Sequence, residues 1–212
     1  MIAGLLALAL LQAPGDQGTL VIRQDSVDVA HEGFRLTAGR LAATVRYDRV
    51  RPVLSLAPIL DVGADSQPVT LQYDVADPRE PLRILGQLGR GRFTVRLVSR
   101  SVERAREFPA TANTVVLDDS VYAFYVFAAW RARAAPTTLN AIFPRALRRE
   151  ALVAADLGLE SVTVARETLT LRHVTLTGGV NGVVHVWLDA AGHIQRIDIP
   201  SRHIVAERLP SS

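Results

Sequence analysis

From Gly18 onward, apolar side chains recur at every second position, and that period constrains the chain more than any other feature. Leu41, Ala43, Val45 and Tyr47 share one face, while Ala42, Thr44 and Arg46 take the other. Val69, Leu71, Tyr73 and Val75 alternate with Thr70, Gln72 and Asp74, and Phe93, Val95 and Leu97 alternate with Arg92, Thr94 and Arg96. Successive side chains of a strand point to opposite sides of a sheet, so the alternation describes strands with one face on a core and one in water. It also argues for antiparallel pairing, because strands of a buried parallel sheet read as continuous apolar runs. Further strands are expected near 19–24, 28–36, 53–60, 82–88, 101–108, 138–143, 148–154, 159–165, 168–176, 182–188, 193–199 and 203–208.

Turn residues punctuate these runs at Asp25-Ser26, Ala38-Gly39, Asp48-Arg49, Gly89-Arg90-Gly91, Gly178-Gly179 and Asp189-Ala190-Ala191-Gly192. Loops this short join neighbouring antiparallel strands, since parallel strands need a crossover of about a dozen residues. Twist accumulates from strand to strand, so a meander of this size must curl. The expected fold is all-β with one helix: a long curved antiparallel meander forming a half-barrel or barrel. No linker or fixed-period repeat divides it, and residues 16–212 are read as a single domain.

One segment breaks the period. Asp118-Asp119-Ser120 precedes Val121-Tyr122-Ala123-Phe124-Tyr125-Val126-Phe127-Ala128-Ala129-Trp130, and Arg131 and Arg133 follow. Acidic and hydroxyl side chains before the run suit a helix start, and arginines after it suit the helix dipole. A helix of about three turns is expected over 121–130, with a strand as the alternative because aromatic and β-branched residues abound. Val121, Phe124, Tyr125 and Ala128 form one stripe, while Tyr122, Val126, Ala129 and Trp130 cover other sides. A helix apolar all round is buried on most of its circumference, and the concave side of the curled sheet is the place for it.

Residues Met1–Ala13 carry no charged side chain and have the length of a signal-peptide core, short of the roughly 20 apolar residues that span a bilayer. Small residues at Ala13-Pro14-Gly15 suit cleavage after Gly15, so residues 1–15 are read as a signal peptide and the protein as exported, periplasmic or secreted. The sequence has no cysteine, which excludes a lipid-attached N-terminus, disulfides, a thiol nucleophile and thiolate metal sites. All 24 basic residues are arginine, yet the net charge is only +3 and the arginines alternate with apolar residues along strands. A nucleic-acid binder concentrates its charge, so that partner is not expected.

Few motifs point to chemistry. Asp118 and Asp119 are adjacent, so they diverge on a helix start and are read as capping groups rather than an acid–base pair. The histidines His31, His173, His185, His193 and His203 lack the i, i+2 or i, i+4 spacing of metal ligands. His185 and His193 flank a turn and are the one pair that a hairpin could bring face to face. No Gly-x-Ser-x-Gly turn is present to strain a serine nucleophile. Gly86, Gly89 and Gly91 lie between two strands instead of opening a helix, so they read as a hairpin turn. Arg145, Arg148 and Arg149 form the densest basic cluster and are read as a solvated edge.

The opening Gly18–Asp25 and Val29–Phe34, the segment Val115–Tyr122, and the ending Val186–Pro200 resemble a family of uncharacterised secreted bacterial β-rich proteins. The resemblance implies no activity and no catalytic residue. More distantly, the layout looks like periplasmic half-barrels that carry lipoproteins or lipids, which implies an acyl-binding scaffold. The expected function is non-catalytic, with no cofactor and no metal: binding of an apolar small molecule or lipid, lined by Tyr122, Phe124, Tyr125, Phe127, Trp130 and Trp187. The alternative is a structural or protein-interaction module with a filled core, engaging an envelope protein partner. A hydrolase is a distant third reading.

Overall fold

The computed structural model describes residues 15–63 and 65–210; the proposed signal peptide lies almost wholly outside them. The first half of the chain forms β1 (Asp16–Gln24), β2 (Val27–Thr37), β3 (Arg40–Tyr47), β4 (Leu54–Val62), β5 (Pro68–Ala76), β6 (Leu82–Gly89), β7 (Arg92–Ser99) and β8 (Glu103–Pro109). The second half forms β9 (Thr114–Val116), α1 (Tyr125–Ala129), β10 (Thr137–Phe143), β11 (Arg148–Val164), β12 (Glu167–Thr177), β13 (Val183–Leu188), β14 (Ile194–Ile199) and β15 (Ile204–Arg208).

All strands among the described residues belong to one 15-stranded sheet in the order β8-β7-β6-β5-β4-β3-β2-β1-β15-β14-β13-β12-β11-β10-β9. Two meanders thus run outward from the centre, where β1 pairs with β15 antiparallel and Ile22 faces Ala206. The alternation fixes which side faces in: Leu20 and Ile22, Leu41 and Val45, Leu71 and Tyr73, and Phe93 and Val95 all join one core. Left-handed residues make the tight turns, as at Arg90 and Gly91 between β6 and β7.

The sheet is curled but not closed. Its edges are β8 and β9, joined by the short loop through Thr111 and Asn113. Asn140 Nδ2 donates to Pro109 O at 2.8 Å and Gln67 Nε2 to Thr111 O at 2.7 Å, so side chains bind this loop across the seam. The β8 edge is lined with ion pairs, Arg96 with Glu103 and Arg92 with Glu107, a charge pattern that discourages further pairing.

Three local expectations need correction. The strands foreseen at 148–154 and 159–165 are one strand, β11, whose register with β12 shifts between Asp156 and Gly158. Such a bulge reverses the inward face and so interrupts the period there. The short strand β9 pairs parallel to β10 and was not foreseen, because three residues are too few to show a period. The helix spans five residues rather than three turns. It opens with tight i→i−3 bonds, Tyr125 N to Tyr122 O and Val126 N to Ala123 O, before Trp130 N reaches Val126 O. Placement in the concave face holds: Val121 to Ala129 are all buried against the inward-facing strand residues.

Candidate functional site

Three constellations carry chemistry. The first lies inside the curl, where the segment before α1 meets the sheet. Glu32 falls on the inward face of β2 between Ala30 and Phe34 and is fully buried. Its carboxylate accepts hydrogen bonds from Tyr122 N at 2.7 Å and Ala123 N at 3.0 Å. Glu32 therefore satisfies amides that Asp118, Asp119 and Ser120 were expected to cap. No side chain caps the helix itself. Burial pushes the Glu32 carboxyl up to about 7, against the two amide bonds that favour its charged form.

Asp118 and Asp119 do other work. Asp118 is buried and accepts from Ser120 N at 2.8 Å and from Arg145 Nη2 at 3.1 Å; desolvation raises its pKa and Arg145 opposes the rise. Arg145 also donates to Ser120 Oγ at 2.7 Å. Asp119 accepts from Arg148 at 3.0 Å and from Asn181 Nδ2 at 3.2 Å. Arg145 and Arg148 are thus drawn inward by the acidic pair, which corrects their reading as a solvated edge; Arg149 alone of the cluster is exposed. All four tyrosines of the sequence converge here. Tyr47 Oη donates to Ser120 O and Tyr122 Oη to Asp119 O, each at 3.3 Å, while Tyr122 and Tyr125 stack. Tyr73 Oη and Tyr125 Oη are buried without a hydrogen-bond partner among the described residues. Burial raises the pKa of both phenols, keeping them neutral.

The second constellation is a cleft of about 460 Å³ at the C-terminal end of α1, lined by Asp65, Ser66, Asn113, Trp130, Arg131, Arg133 and Thr137. Trp130 is pinned there by its Nε1, which donates to Gly192 O at 2.8 Å, and its ring meets Phe127 edge-on at 5.7 Å. Gly192 takes a positive φ, and a Cβ on it would come within 3.0 Å of the indole nitrogen. Only glycine leaves room for that approach.

The third lies on the outer face. His173 and Trp187 are cross-strand partners whose rings stack at 4.6 Å. Glu160 Oε2 lies 2.7 Å from His173 Nδ1 and accepts from Trp187 Nε1 at 3.0 Å, while His173 Nε2 lies 2.9 Å from His185 Nδ1. With both rings neutral, a proton on His173 Nδ1 makes its Nε2 the acceptor, so His185 Nδ1 donates. Desolvation lowers the His173 pKa; Glu160 opposes that and His185 adds to it. His185 therefore meets His173, not His193. The β13–β14 pairing resumes at Leu188 and Ile194, leaving His193 in the turn against Asp189. Among the described residues, no three acidic or histidine side chains are placed to hold a metal ion.

Of the six aromatic residues expected to line a ligand site, five lie together on the segment through α1 and Trp187 is set apart from them. Tyr122, Phe124, Tyr125 and Phe127 sit in the core at 1% exposure or less. Trp130 lines the cleft, whereas Trp187 packs on the opposite face of the sheet with Val164 and Leu171. Sequence reading missed Glu32, although its parity with Phe34 and Leu36 in β2 placed a carboxylate on the core side. It also missed the cleft, which is assembled from loops far apart in the chain.

Among the described residues the architecture is that of an open, curled, almost wholly antiparallel sheet with one short α-helix buried in its concave face. No family model matches the sequence, and no curated protein matches it. Among solved structures, the crystal structure of a DUF1089 family protein from Pseudomonas aeruginosa is similar, with a TM-score of 0.52 at 15% identity, covering 84% of this chain and 92% of that one. That likeness concerns the fold alone.

Proposed function

We propose that the protein is a non-catalytic, exported binding protein for an apolar or lipid-like molecule, and that it meets this molecule at Trp130 and the cleft beyond α1. One observation carries the reading: Trp130 continues the aromatic row of the core through Phe127 and lines a cleft whose volume, about 460 Å³, is that of small-molecule sites. An apolar tail entering from the cleft would run against the indole and the adjoining seam between β8 and β9. The non-catalytic part is supported by how the ionic groups are used, since Glu32, Asp118, Asp119 and Glu160 are each committed to structural hydrogen bonds. Native mass spectrometry of protein purified from its own host tests the reading. Bound acyl species, diminished in Trp130→Ala, are expected; ligand-free wild-type protein that also ignores added fatty acid would overturn it.

A second reading is favoured by the packing of the concave face. Val121 to Ala129 are at most 3% exposed, so the chain itself occupies the space in which a half-barrel would hold a ligand. The molecule would then be an interaction module with a filled core. Ligand-free protein in the same experiment supports it.

A further inference from the structure

We infer that the cleft recognises an oxyanion, and that its ligand presents a phosphate group to Arg131 and Arg133. The inference rests on the reading of the cleft as the ligand site and adds the chemistry of the ligand's polar end.

The partly buried arginines elsewhere are matched to carboxylates: Arg145 to Asp118, Arg148 to Asp119, Arg172 to Asp156, Arg196 to Glu207 and Arg208 to Asp16. Arg131 departs from this pattern. Its Nη1 donates to Ala112 O and its Nη2 to Asp65 O at 2.8 Å, both main-chain carbonyls. Its Nε is buried with no acceptor among the described residues. Arg133 is likewise held by carbonyls, Trp130 O at 2.7 Å and Ala132 O at 2.9 Å. Neither has a carboxylate within ion-pair distance among the described residues. Carbonyls orient a guanidinium without cancelling its charge, so both arginines face the cleft as preset cations. Desolvation lowers the Arg131 pKa and the neighbouring Arg133 adds to that; Asp65 opposes it.

The rest of the lining fits. Ser66, Asn113 and Thr137 add hydroxyl and amide donors. Asp65 is the one acidic side chain there, and its Oδ1 is occupied by Gln67 N at 3.0 Å. Two guanidiniums against one carboxylate leave a net positive lining. Guanidinium forks bind phosphate oxygens in pairs, and a phosphate offers oxygens enough for both arginines and the neighbouring donors. The same chemistry is presented by a soluble phosphate and by a phospholipid head group, and the test separates them.

The sequence has two tryptophans, so Trp187→Phe leaves Trp130 as a reporter inside the cleft. Its fluorescence would be followed with inorganic phosphate, with phosphatidylglycerol vesicles and with vesicles of digalactosyldiacylglycerol, a neutral lipid without phosphate; calorimetry on the wild-type tryptophan pair would replace it if Trp187→Phe misfolds. A saturable response to inorganic phosphate assigns a soluble ligand, and a response to phosphatidylglycerol alone assigns a lipid head. In either case Arg131→Gln and Arg133→Gln should each weaken binding at least tenfold, while Arg149→Gln, an exposed arginine elsewhere, leaves it unchanged. Equal binding to digalactosyldiacylglycerol, which has no phosphate, or binding indifferent to both substitutions, overturns the phosphate assignment and leaves the apolar-ligand reading standing. No response to any probe, with ligand-free protein from the host, overturns both.

Discussion

At the residue scale, the position that most departs from the pattern around it is Glu32. A carboxyl group on the core side of a strand is costly unless its oxygens are hydrogen-bonded, and here they accept from two amides ninety or more residues away in sequence, which does not fully offset the cost of burying the charged form. The consequence for pH follows from linkage. The folded state holds its proton up to about pH 7, whereas the unfolded chain releases it near 4.5. Folded protein thus binds more protons in that window, so this group's contribution to stability is most favourable below 4.5 and falls as pH rises to 7. The loss amounts to on the order of 3 kcal/mol. Urea unfolding of wild type and Glu32→Gln at pH 4.5 and 7.5 checks this. The wild type should lose stability relative to the variant by about that amount; a difference that does not change with pH would refute the role of Glu32.

At the scale of elements, close packing between strands explains one glycine that a sequence reader would assign to a turn. Gly86 lies inside β6, and a Cβ there would sit 2.7 Å from the Phe93 ring and 2.9 Å from Leu71 Cβ. Phe93 and Leu71 are themselves buried and cannot move aside. Gly86→Ala should cost about 1–3 kcal/mol through overpacking. Gly89, three residues on, has nothing within 4 Å of its Cβ site and no positive φ, so Gly89→Ala should stay within about 0.5 kcal/mol of wild type. Chemical denaturation of the two variants side by side tests the contrast, and equal effects would contradict it. The reading of Gly86, Gly89 and Gly91 as one hairpin turn was right for Gly91, which has a positive φ, and wrong for Gly86, because spacing alone does not distinguish a turn from a tight crossing.

Across the whole molecule, the sheet order puts the first and last strands of the described residues side by side at its centre. β15 pairs with β1 on one side and β14 on the other, so it is the seam between the two meanders. The segment before α1 ties the same halves from inside, through Glu32 and Tyr47 on one side and Arg145 and Asn181 on the other. Removing residues 204–210 should therefore abolish the cooperative thermal transition rather than merely fray a terminus, because both meanders lose their common edge. Circular dichroism melting of the truncated chain decides this, and a transition within a few degrees of wild type would show that the halves fold without their seam.

Period-two alternation was enough to predict most of the strands and their hairpin succession, and the one break in that period marked the apolar segment lying within the curl. Those features depend on backbone geometry over a few residues, and a side chain's face is set by its parity in the strand. What lay beyond the sequence depends on which distant strands meet. The pairing of β1 with β15, the inward turn of Arg145 and Arg148, the amides given to Glu32 and the cleft around Trp130 all join segments well separated in the chain. Only the curl of the finished sheet, set by accumulated twist and by the bulge in β11, brings those groups within bonding distance.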